Sequence, residues 1–143
     1  MGLSNKKSAM RRRLPVIEGD PVEAPWVCPP EDECDIDDPL DFLLDQTTRM
    51  IQRIWRQDKR IVDFAVVLMA RADDNSWQEV AKVDCCHNQV HLHKRRMNKS
   101  VDDIRDVLRE VTRQEDVEET IDQAFDIVHD QYDQHVREWR YGY

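Results

Sequence analysis

Between residues 20 and 141 the chain has no glycine; the three among its 143 residues are Gly2, Gly19 and Gly142. That absence removes the glycine-rich phosphate cradle, the dinucleotide-binding fingerprint and the glycine-flanked nucleophile elbow. ATPase, GTPase, kinase and Rossmann-type dehydrogenase readings lose their footing with them. Proline is also missing from most of the chain, since all six lie at or before Pro39. No apolar run approaches the roughly eighteen residues of a membrane-spanning helix. The basic N-terminus is not followed by the apolar core of a secretory signal. The four cysteines, Cys28, Cys34, Cys85 and Cys86, form no paired framework. Adjacent cysteines rarely bridge each other, so reduced thiols in a cytoplasm are expected.

What is present is charge, unevenly spread. The formal net charge is -9. Residues 1–13 carry five bases and no acid, and residues 14–45 carry eleven acids and no base. Residues 46–143 hold 16 bases against 19 acids, so the body is close to balanced. Such a body lacks the broad basic face that duplex binding needs. A local basic patch remains at Lys94, Arg95, Arg96 and Lys99. Composition divides the chain into a charged, proline-bearing leader over 1–37 and a single domain over 38–143.

Hydrophobic spacing predicts the elements of that domain. Asp38 and Pro39 read as the start of a helix running to Gln57 or Asp58, with a stripe from Leu40 to Trp55. Ile61 to Arg71 is nearly continuous in apolar character and reads as a central strand. Trp77 to Cys86 and Val90 to Arg96 read as two further strands. Ser100 and Asp103 form a capping pair ahead of a helix over 101–111. From about Glu115, Val117, Ile121, Phe125, Val128, Tyr132, Val136 and Trp139 repeat as one long amphipathic helix. The expected class is α+β: an N-terminal helix, a three-stranded antiparallel meander and two C-terminal helices packed on one face. The long stripe exceeds what one small sheet needs, so a homodimer is expected.

Chemistry concentrates in the second hairpin. Side-chain parity across an antiparallel pair is set by loop length. An even loop places Ala81, Val83 and Cys85 with Val90 and Leu92, and Lys82, Asp84 and Cys86 with His91, His93 and Arg95. Asp84 then lies opposite His93, or opposite His91 if the turn moves by one residue. Two imidazoles beside a carboxylate have the parts for phosphodiester cleavage. One ring takes the 2′-hydroxyl proton, the other protonates the leaving oxygen, and Lys94, Arg95 and Arg96 bind the phosphate. A metal held by His91, His93, Cys86 or His87 is the weaker reading, since no second spaced pair accompanies it. The plain alternative is a solvated sheet face. His129 and His135 read as surface residues. Trp55, Trp77, Trp139 and Phe64 read as core.

The stretch from Val62 to Val111 carries an apolar strand, a Trp-led strand ending in Asp84, a short turn, the His91-Leu-His93-Lys-Arg strand and an apolar-striped segment. In this it resembles the TumE-like group of toxin–antitoxin toxins and related small phage and actinobacterial proteins. That group has a glycine in the turn and this chain does not. The resemblance implies a toxin acting on RNA or translation and held by a cognate antitoxin, with Asp84, His91 and His93 as its site. The leading expectation is therefore a small cytoplasmic ribonuclease-like protein that cleaves RNA without metal or cofactor and has no membrane association. The rival is a non-enzymatic protein that binds a host or phage partner through its acidic leader or its long C-terminal helix.

Overall fold

The computed structural model describes residues 26–86 and 88–142, which form seven strands, two α-helices and a short 3-10 turn at Glu31–Glu33. The strands are β1 (Asp35–Ile36), β2 (Leu40–Asp45), β3 (Thr48–Gln57), β4 (Arg60–Arg71), β5 (Trp77–Cys86), β6 (Gln89–Lys94) and β7 (Ile104–Glu110). The helices α1 (Gln114–His129) and α2 (Tyr132–Tyr141) close the chain. All strand pairs are antiparallel and the order follows the sequence, from β1 and β2 on one edge through β3, β4, β5 and β6 to β7. β1 and β2 both pair with β3 and together make one interrupted edge strand.

This corrects the expected architecture. There is no N-terminal helix, and the sheet is not a three-stranded meander. The segment 38–57 forms a hairpin because Asp45 builds a turn inside it: Thr47 N–H donates to Asp45 Oδ1 at 2.8 Å. Its β-branched and aromatic residues then suit a strand, and Phe42, off the helical stripe, joins the core side with Leu44. Within the segment 101–111, Ile104–Glu110 is the edge strand β7 and no helix forms. The single long helix is broken at Asp130 and Gln131, where Gln131 leaves helical geometry.

The missing glycines have substitutes. Asp58 and Lys59 both adopt positive φ and make the two-residue turn between Gln57 and Arg60. Asn75, Asn88 and Asn98 take the left-handed conformation in later turns.

Both helices lie on one face of the sheet. Met50, Phe64, Val66, Leu68, Val83 and Val90 pack there against Val117, Ala124, Val128 and Trp139. α1 starts at Gln114 because the Asp116 carboxylate accepts from the N–H groups of Thr112 and Arg113 at 2.9 and 3.0 Å. The helical stripe packs on the chain's own sheet, with Val117, Ile121, Val128 and Trp139 buried and Phe125, Tyr132 and Val136 partly so. His135 is buried, with Nε2 on the Ile127 carbonyl at 3.0 Å, rather than a surface residue. Among the described residues no helix is long and apolar enough to cross a membrane.

The last part of the expected leader lies against the domain. Trp26 N–H donates to the Thr112 carbonyl, Asn88 Nδ2 donates to the Trp26 carbonyl, and Cys28 Sγ meets the Val62 carbonyl. Residues 1–25 lie outside the described residues, as do His87 and the side chain of Cys86.

Candidate functional site

The face of the sheet away from the helices carries the candidate chemistry. Directly opposed residues share a face, so one row crosses it as Arg53, Ala65, Asp84, His91 and Val107. The next row is Ile51, Val67, Lys82, His93 and Arg105. The turn after β5 spans two residues, since Cys86 pairs with Gln89, and Asp84 therefore lies opposite His91. The register is the one in which the turn falls a residue earlier. It still brings Asp84 to His93, which reaches diagonally along the strand.

His93 is held at both ends. Its Nδ1 lies 2.7 Å from Asp102 Oδ2 and its Nε2 lies 2.8 Å from Asp84 Oδ1. Both nitrogens can donate at once only when the ring is an imidazolium. The second histidine is oriented by an amide. Gln89 Nε2 donates to Glu110 Oε2 at 2.8 Å, which turns Gln89 Oε1 toward His91 Nε2 at 3.0 Å. Since an amide oxygen only accepts, His91 Nε2 donates in that contact. The two ring centroids are 5.6 Å apart. His91 and His93 are only 3% and 7% exposed, although the helices lie on the opposite face. The connection from β6 to β7 brings Asp102 against His93.

No protein-family model, curated protein or solved structure matches this chain. The chemistry of the site is therefore read from its own residues.

The basic residues divide. Arg95 reaches the site, with Nε 3.3 Å from Asp102 Oδ1 and 3.2 Å from Glu79 Oε2. Lys94 lies on the helix side and pairs with Glu138 of α2. Arg96 faces Asp103 at 4.0 Å. Only one of the three expected phosphate ligands is thus beside the histidines. Lys82, which was not among them, stands 3.5 Å from Asp84 Oδ2. Its place is visible in the sequence: it is two residues from Asp84 on the same strand face.

Sequence reasoning also missed Asp63 and Asp102. Burial pushes the Asp63 carboxyl up to about 7, and the charges of Asp84 and Glu31 add to it against the Phe64 N–H. Burial works to raise Asp102 too, but the His93 hydrogen bond and charge, with Arg95, hold it below the ordinary carboxylate range. The capping pattern of Ser100 and Asp103 puts Asp102 in the first turn of the expected helix, which hides its reach onto the sheet. Trp77 is not core. It lies under the guanidinium groups of Arg71 and Arg49, at 4.4 and 5.2 Å from its ring centroid. Cysteine chemistry gains no support from Cys28, whose thiol burial pushes up to about 11, with Asp63 and Cys34 contributing.

Proposed function

We propose that the protein is a cytoplasmic, toxin-like ribonuclease of a toxin–antitoxin or phage system, with Asp84, His91 and His93 as its site. One observation carries this reading. Two imidazoles and a carboxylate are sunk together in the sheet face away from the helices and aligned by Asp102 and Gln89. Folding alone has no need of a buried polar cluster there, and such clusters concentrate at functional sites.

The roles follow from the hydrogen bonds. His91, protonated on Nε2, takes the 2′-hydroxyl proton on Nδ1, a buried atom that RNA reaches only once its cover on that face moves aside. The 2′-oxygen bonds to phosphorus and the bond from phosphorus to the 5′-oxygen breaks. The leaving 5′-oxygen receives the Nε2 proton of His93, which moves off Asp84 while Asp102 keeps the ring aligned. Arg95 and Lys82 supply positive charge for the phosphorane. The products are a 2′,3′-cyclic phosphate and a free 5′-hydroxyl. A cognate antitoxin is the expected protein partner.

A second reading, binding to a host or phage protein, is favoured by apolar residues exposed on both sheet edges: Ile36, Leu40 and Leu43 on one, Val107 and Leu108 on the other. Induced expression in bacteria separates the two, with wild type beside a double variant carrying His91→Ala and His93→Ala. Growth arrest by wild type alone, at equal soluble expression, supports cleavage. Arrest by both supports binding, and purified wild type that leaves RNA intact in chelator removes the metal-free ribonuclease.

A further inference from the structure

We propose that Asp84, His91 and His93 also form a binding site for a single zinc-class divalent ion. The inference uses the residues of the proposed cleavage site but does not depend on cleavage. One potential ligand atom from each residue lies within 4.8 Å of the other two. Ligands at about 2.1 Å in a tetrahedral shell stand roughly 3.4 Å apart, so the more distant of these atoms draw in by up to about 1.4 Å when they share one ion. The His93 Nε2 to Asp84 Oδ1 contact of 2.8 Å opens by about half an ångström to admit it.

The surroundings are those of a ligand set. A metal-bound histidine commonly gives its other ring nitrogen to a carboxylate or carbonyl, which fixes the tautomer and the ring plane. Asp102 does this for His93 through Nδ1, leaving Nε2 for the ion. Gln89 does it for His91 through Nε2, leaving Nδ1. Lys82 holds Asp84 Oδ2, so Asp84 binds through Oδ1 alone. Two nitrogens and one oxygen select a transition metal over magnesium or calcium, which prefer all-oxygen shells. Three protein ligands leave the fourth position to water. The negative charge of Asp102 favours a cation against the charges of Lys82 and Arg95.

Occupation and metal-free cleavage exclude each other. A ligated nitrogen neither accepts nor delivers a proton, so zinc is expected to inhibit the ribonuclease.

The test is calorimetric titration of zinc, and the visible spectrum of cobalt, on the untagged full chain stripped by chelator and dialysed. One ion per chain is expected, undisturbed by millimolar magnesium, with the visible bands of a four-coordinate cobalt centre. The isosteric Asp84→Asn change and His91→Ala should each weaken zinc binding at least 100-fold. Asp102→Asn, which keeps all three ligands, should weaken it 10- to 100-fold. Zinc should raise the melting temperature of wild type and not of Asp84→Asn, which controls for folding. No stoichiometric uptake by wild type, or affinity unchanged in Asp84→Asn and His91→Ala, overturns the site. Cleavage fails separately: a chain that takes up one ion and leaves RNA intact in chelator keeps the metal site and loses the ribonuclease.

Discussion

Along β4, Phe64, Val66 and Leu68 face the helices while Asp63, Ala65 and Val67 face away from them. Along β6, Val90 and Leu92 alternate in the same way with His91 and His93. The covered face is apolar and exclusion of water by α1 and α2 holds it together. On the other face the histidines are nearly as buried, but each polar atom there must find a partner, because an unmet one costs more than a made one contributes. Alternate residues of one strand thus answer two different demands. One set is chosen by packing, and the other by what the site must hold.

Substitutions can break this contrast in order of size. Phe64→Ala removes a wholly buried ring and should lower stability by about 3–5 kcal/mol in chemical denaturation. His93→Ala leaves Asp84 and Asp102 without the ring between them. It should cost about 1–3 kcal/mol and abolish RNA cleavage as well. The two effects come together because the ring is buried and bonded at both nitrogens. Asp116→Ala should cost about 1–2 kcal/mol by removing the acceptor for two N–H groups at the start of α1.

Asp116 also sets a pH dependence. Its carboxyl is held down to about 2, chiefly by the Thr112 N–H, with the Arg113 N–H and the Arg109 charge also lowering it against burial. Its contribution is complete above the ordinary value near 3.8 and is lost as pH falls toward 2, so Asp116→Asn should flatten the acid limb of a melting profile. Asp63 works the other way. Its value, raised to about 7 by burial, makes ionisation unfavourable in the folded state, a penalty that grows as pH rises from about 4 to 7. Asp63→Asn should raise the melting midpoint by roughly 2–4 °C at pH 8 and have little effect at pH 4.

The three central strands were legible because they are long, β-branched and bounded by polar turns, as in Ile61 to Arg71. The Asp84, His91 and His93 grouping was legible because parity along a hairpin is fixed. The flanking elements were not. Leu40, Leu43, Leu44 and Ile51 fit a helical stripe and a strand pair equally well, and only the Asp45 turn decides between them. Val101, Ile104 and Leu108 are similarly ambiguous, and in the structure β6 claims the segment as an edge strand. A bulge between Leu68 and Met69 puts Trp77 on the side opposite to the one simple alternation predicts. Asp102 could not be found from spacing, since its reach to His93 depends on the path from β6 to β7.

Because every strand from β2 to β7 pairs with its neighbour in sequence, the sheet can assemble hairpin by hairpin as the chain leaves the ribosome. Its cover comes last. Until the segment 114–141 has emerged, the whole apolar face from Met50 to Val90 is bare, and a nascent chain stalled near residue 113 presents it to every chaperone and neighbour within reach. A stop codon placed there should yield an insoluble product. Supplying residues 114–143 as a separate peptide should recover some of it, which would show that the sheet stands ready before its lid arrives.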